Sequence, residues 1–79
     1  MKDLLEFIVK SLVSQPKEVE IKQEEKEGDI NLDLKVAEED MGLIIGRQGR
    51  IIKAIRNLLK TRALIEKKRV QLILEEVKN

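Results

Sequence analysis

Seventy-nine residues, 42% of them hydrophobic, fit one domain spanning 1–79 with a small core. Cysteine and histidine are both absent, which removes disulfides, thiolate nucleophiles and the usual zinc ligands; pairing with a second copy is then the simplest extra source of stability. Net charge is only +1, yet residues 1–40 carry 6 Lys/Arg against 12 Asp/Glu and residues 41–79 carry 10 against 3, so a net −6 half faces a net +7 half and one side attracts polyanions.

The chain opens Met1-Lys2-Asp3-Leu4-Leu5-Glu6, with acidic residues where a signal peptide would be continuously apolar. No apolar run approaches the length of a membrane span, and a soluble cytoplasmic protein is expected. Asp3 followed by Glu6 reads as a capping box that opens a helix. Leu4, Leu5, Ile8, Leu12 and Val13 recur at helical spacing, and Pro16 is expected to end the segment. The single aromatic residue, Phe7, falls in this helix and is expected to be buried. Val19-Glu20-Ile21-Lys22 starts a strand that fades into the polar stretch from Gln23 to Glu27, and Gly28-Asp29 marks a turn. Beyond it Ile30, Leu32, Leu34 and Val36 alternate with Asn31, Asp33 and Lys35, so one strand face is buried and the other wet. A hairpin joins the two strands.

Glu38-Glu39-Asp40 places negative charge where a helix N-terminus favours it. Met41, Leu43, Ile44 and Ile45 form a short apolar helix cut off by Gly46, and a longer helix runs from Gly49 to about Leu64. Lys67-Lys68-Arg69 interrupts the apolar pattern, and Val70 to Leu74 reads as a last strand. The order is helix-strand-strand-helix-helix-strand, an α+β fold.

Chemistry concentrates at Gly46-Arg47-Gln48-Gly49. Alone, a glycine pair at this spacing reads equally well as an ordinary helix–helix turn. Its setting adds meaning, because the loop opens on a helix N-terminus, where free amides and the helix dipole favour an anion. Two positions without side chains let a sugar-phosphate strand approach, while Arg47 supplies charge and Gln48 amide donors. In the following helix Ile51, Ile52, Ile55, Leu58 and Leu59 share one side and are expected to face the core. Arg50, Lys53, Arg56 and Lys60 take the remaining arc, and no acidic residue occurs between Asp40 and Glu66. A one-signed face of this kind favours phosphate contact over mere solubility.

Met41 to Lys53 resembles the signature of KH domains: an isoleucine-glycine pair, two variable residues, glycine, then an apolar-basic pair. The element order resembles the type II KH fold of prokaryotes. The whole chain, with Ala54-Ile55-Arg56 after the loop, is similar to small bacterial single-KH proteins of the KhpA-like family. That resemblance implies a three-stranded sheet packed against three helices, with single-stranded RNA of about four nucleotides in a groove beside the loop. Carried onto this chain, it makes Gly46, Arg47, Gln48 and Gly49, with Arg50 and Lys53, the backbone grip. Ile44, Ile45 and Ile52 become the groove's apolar floor or the core beneath it. The strand after Gly28 becomes the opposite wall, with Leu34 and Val36 as candidates for base contact, although residue type and periodicity favour the core for each. The family resemblance also implies a homodimer and a larger KH-containing partner of the KhpB or Jag kind. The turn before the last strand often holds glycine in related chains, and Glu66-Lys67-Lys68 stands there instead.

With Phe7 as the one aromatic, stacking platforms of the RRM kind are not expected. An RNA chaperone or post-transcriptional regulator is the implied role, and a KH scaffold acting mainly through a protein partner is the alternative. Catalysis is not expected. Hydroxyls are limited to Ser11, Ser14 and Thr61, and Arg50-Ile51 follows the last glycine where a P-loop needs Lys-Ser/Thr. No metal and no cofactor is implied.

Overall fold

A computed structural model describes residues 1–75 of the chain. Helix α1 (Lys2–Leu12) is followed by a 3-10 turn (Pro16–Glu18), strands β1 (Glu20–Lys26) and β2 (Asp29–Lys35), and a second 3-10 turn (Glu38–Asp40). Short helix α2 (Met41–Ile45), a 3-10 turn (Arg47–Gly49), helix α3 (Arg50–Ile65) and strand β3 (Arg69–Leu74) complete it. The expected α+β order is therefore present. The sheet runs β1-β2-β3; β1 and β2 are antiparallel with Ile21 opposite Leu34, and β2 and β3 are parallel with Leu32 opposite Leu72.

The period-two pattern of β2 does what it implies: Ile30, Leu32, Leu34 and Val36 are all buried beneath the helices. Leu5 and Val9 of α1, Ile44 of α2, and Ile52, Ile55 and Leu59 of α3 close over that face. A central strand with one covered face has its register fixed, because a one-residue slip would turn every apolar side chain outward.

Several local expectations need correction. Helix α1 begins at Lys2 with no side-chain cap, so Asp3 is a first-turn residue and not a capping box. One of the free amides is met from outside the helix, the Lys2 amide donating to Gln23 Oε1 at 2.9 Å. The helix ends at Leu12 with Val13 already extended, ahead of Pro16, which opens the next turn instead. Phe7 is 73% exposed. It lies across the helix from Leu5 and Val9, which take the inward stripe.

Strand β1 does not fade. It continues through its polar stretch to Lys26 and pairs with β2 along its whole length. As an edge strand it needs only backbone partners on one side, so polar side chains cost it little. The turn is Glu27-Gly28, one residue earlier than expected, and both residues have positive φ (52° and 83°), the geometry of a two-residue type I′ hairpin.

Asp40 is the one buried charged residue among those described, 1% exposed. Its Oδ1 accepts the Ser14 hydroxyl at 2.7 Å and the Ser14 amide at 3.0 Å, and Oδ2 accepts the Gln15 amide at 3.1 Å. Gln15 also donates to the Glu39 carboxylate. The Ser14 hydroxyl, helped by the two amides, holds the Asp40 carboxyl below its ordinary value against the opposing effect of burial. The acidic run is thus more than a charge at a helix start. Asp40 ties the segment leaving α1 to the segment entering α2.

Candidate nucleic-acid interface

Helix α2 stops because Gly46 adopts φ 74°, ψ 174°, a backbone region that side chains essentially exclude. Its amide still bonds the Gly42 carbonyl at 2.9 Å. A Cβ added at Gly46 would lie 2.6 Å from Ile51 Cγ1 and 3.0 Å from the Ile51 amide nitrogen. The loop is therefore pressed onto the first turn of α3, and only glycine permits it. Gln48 (φ 58°, ψ 25°) and Gly49 (φ 73°, ψ 18°) are both left-handed, and Arg50 returns to right-handed helix at φ −66°. The change of hand closes the turn on itself, the Gly49 amide donating to the Gly46 carbonyl at 3.2 Å and the Arg50 amide to the Arg47 carbonyl. The turn coincides with the N-terminus of a 16-residue helix, whose dipole favours an anion.

The backbone thus gathers residues 46–50 into one exposed turn. Arg47, Gln48 and Arg50 are exposed, and Lys53 is exposed one turn further along α3. Among the described residues none of Arg47, Arg50 and Lys53 enters an ion pair. Ile45 is 38% exposed and lies at the loop's edge, whereas Ile52 is 7% exposed and Ile44 fully buried. Of the three isoleucines, only Ile45 offers appreciable surface; Ile44 and Ile52 are core.

Two expectations about the groove change. Leu34 and Val36 are 0% and 2% exposed, and β2 is the central strand, so they cannot meet a base. The strand beside α3 is β3, an edge strand of the sheet. A turn as short as residues 66–68 returns the chain antiparallel along the helix it has just left. Between them lies a groove of about 250 Å³ lined by Arg56, Leu59, Lys60, Val70, Gln71 and Leu72. Sequence reasoning missed this wall, although the short connection from α3 to the last strand was its available signal.

The faces of α3 are also redistributed. Arg56 does not join the open basic stripe; it is half-buried, and its Nη2 reaches the Leu72 carbonyl at 3.4 Å. Leu58, expected in the core, is 54% exposed. The wheel is right about Ile52, Ile55 and Leu59, but the covered arc is shifted: it leaves out Leu58 on one flank and takes in Arg56 on the other, the side against β3. No group of acidic side chains that could hold a metal, and no helix long and apolar enough to cross a membrane, occurs among the described residues.

Comparison with known proteins bears on the family and the fold. The family model for the KhpA/KhpB KH domain matches residues 2–74. The RNA-binding protein KhpA of Clostridium acetobutylicum is 57% identical over 70 residues, 89% of this chain and 93% of that protein. The Clostridium perfringens RNA-binding protein KhpA is 51% identical over the same shares, and that of Chlamydia pneumoniae 48% over 96% of this chain and 99% of its own. Among solved structures, an Aquifex aeolicus Era variant bound to GDP and aluminium fluoride superposes with a TM-score of 0.63 at 21% identity. Era in complex with MgGDPNP and nucleotides 1506–1542 of 16S ribosomal RNA gives 0.64 at 21%. Each match covers 91% of this chain but only 28% of the Era chain, and at that identity it speaks for the fold alone. The αββααβ order and mixed sheet are those of a type II KH fold.

Proposed function

We propose that this chain, which belongs to the KhpA/KhpB KH-domain family, binds short single-stranded RNA by closing the loop of residues 46–49 on the sugar-phosphate backbone. The observation that carries the reading is the left-handed turn at Gln48 and Gly49 that feeds into α3, with Arg47, Arg50 and Lys53 exposed and unpaired around it among the described residues. The name borne by the curated relatives, RNA-binding protein KhpA, supports the choice of RNA.

In this reading the chain acts as a single KH domain over 1–79. Gly46 and Gly49 let the strand approach, Arg47, Arg50 and Lys53 meet phosphates, Gln48 donates hydrogen bonds, and Ile45 supplies apolar contact. Ile52 acts from beneath by holding the first turn of α3 in place. The role is that of an RNA chaperone or post-transcriptional regulator in the cytoplasm, with no reaction of its own. Two to four phosphate contacts give a slope of log affinity against log salt of roughly −1.5 to −3. Changing Arg47 and Gln48 together to Asp is expected to abolish binding in fluorescence anisotropy while leaving circular dichroism and melting nearly unchanged. Undiminished affinity in that double variant would sink the assignment.

A second reading, association through protein partners, is favoured by a specific feature. Leu58, Leu64 and Ile65 of α3 are 54%, 78% and 74% exposed, large apolar side chains left uncovered on one helix. A homodimer or a larger KhpB- or Jag-like partner would cover it. Light scattering with and without RNA separates the readings: a complex indifferent to RNA and to reversal of the loop charges would favour this one.

A further inference from the structure

We propose that Arg56 is a specificity-determining residue of the α3–β3 groove, reading a base that offers two adjacent hydrogen-bond acceptors, guanine or cytosine. The inference rests on the single-stranded RNA reading above and adds to it a position and a preference. Arg56 differs from its neighbours on α3. Lys53 and Lys60 stand in solvent, whereas Arg56 is half-buried against β3. Its one hydrogen bond among the described residues, Nη2 to the Leu72 carbonyl, is 3.4 Å long, beyond the range of a strong N–H···O bond. No carboxylate pairs with it among the described residues. A guanidinium has five donors in a fixed fork, so most of this one is unspent although partly withdrawn from water. A ligand bringing acceptors into the groove would repair that imbalance.

The surroundings suit a base. Leu59 and Leu72 are core residues beneath the groove, whereas half-buried Val70 presents aliphatic surface in the same groove as Arg56, where a nucleobase can rest against it. Its volume of about 250 Å³ admits one base. Arg56 lies about 9 Å along the helix axis from Arg50 at 1.5 Å per residue, within reach of the nucleotides next to one held by the loop. The fork geometry then sets the preference. Guanine presents O6 and N7 side by side, and cytosine presents O2 and N3; both accept two parallel N–H bonds. Adenine and uracil place a donor beside each acceptor on the corresponding edges and cannot.

Short U-rich oligonucleotides carrying a single G, C or A at successive positions test this by fluorescence anisotropy on the full chain. The unmodified protein is expected to favour G or C over A and U at one position by on the order of 10-fold or more. Arg56→Lys keeps the charge and loses the fork, so it should level that preference while the all-U affinity and the salt slope stay as they were. Arg56→Met, which keeps the packing of the stem, should lose the preference too and lower affinity for every oligonucleotide alike. A preference that survives in Arg56→Lys, or no preference anywhere in the unmodified chain, overturns the proposal and leaves the RNA reading standing. Failure to bind any oligonucleotide overturns both together.

Discussion

At its N-terminal end α3 is entered through Gly46, Gln48 and Gly49, all with positive φ; at its C-terminal end it is left through Lys67, with φ 57°. Both ends therefore need left-handed backbone, and they meet the need with different residues. At the first end glycine stands where the chain is pressed closest, and the neighbouring cations Arg47, Arg50 and Lys53 have no acidic partner among the described residues. At the second end a lysine takes the strained position in a Schellman turn, with the Lys68 amide on the Ala63 carbonyl at 2.7 Å and the Lys67 amide on the Leu64 carbonyl at 3.1 Å. There the cations are largely spoken for: Arg62 pairs with Glu66, Lys68 with Glu25 and Arg69 with Asp29. The basic surplus of the second half of the chain is thus divided. One portion fastens the helix, the turn and the hairpin to each other, and the other stands unpaired around the loop among the described residues.

The largest way to break the comparison is at Gly46. Gly46→Ala forces a Cβ into Ile51 and occupies a backbone region that only glycine favours, and should cost about 2–4 kcal/mol of unfolding free energy. For a domain this small that is much of the total. Gly49→Ala meets nothing nearer than Ile52 Cγ2 at 3.9 Å, so only its left-handed φ is penalised, by about 1 kcal/mol. Urea denaturation of the two variants measures the difference. Equal costs would mean that the loop is not pressed on α3 as described. The opposite sign is expected at the other end, where Lys67→Gly relieves a left-handed side chain. After glycine's own entropy cost, the gain is roughly 0.5–1 kcal/mol, a rise of about 2–8 °C in Tm. RNA affinity should not follow it.

How much of this is legible in the sequence depends on whether a residue's role is local. The buried side of β2 can be read because alternation is a property of the strand itself, and the loop because glycine spacing and helix ends are adjacent in the chain. Strand β1 is legible only in its first residues, since its later ones are held by pairing with β2 and not by burial of their own side chains. Asp40 reads as a helix-start charge, while its actual partners, Ser14 and Gln15, lie 26 and 25 positions away. Arg56 and Leu58 are misplaced for a related reason: a helical wheel gives angles, but only the neighbours decide which arc is covered. Phe7 shows the same limit in α1. The groove wall falls to β2 in place of β3 in a reading of the chain alone, because strand order in a sheet is not a property of either strand.

The smallest effect should come from the paired end, and its pH dependence shows why. The Arg62 side chain, by hydrogen-bonding the Glu66 carboxylate, holds Glu66 below its ordinary value of 4.5; Glu25, by accepting from Lys68, holds that ammonium above its ordinary 10.5. A lowered acid stabilises the fold above its ordinary value and loses that contribution as pH falls through the lowered one. A raised base does so below its ordinary value and loses it as pH rises through the raised one. Both groups are solvent-screened, so the two limbs should be shallow. Glu66→Gln with Lys68→Met should flatten the alkaline limb and part of the acid limb in thermal melts, the rest of the acid limb persisting because Asp40 and Glu6 are lowered by Ser14 and Lys10. RNA affinity at neutral pH and its salt slope should be unchanged by the pair, whereas Arg47→Asp with Gln48→Asp is expected to remove binding. If neutralising the far end weakened RNA binding as reversal of the loop does, the cations of α3 would form one undivided surface and the distinction between its ends would fail.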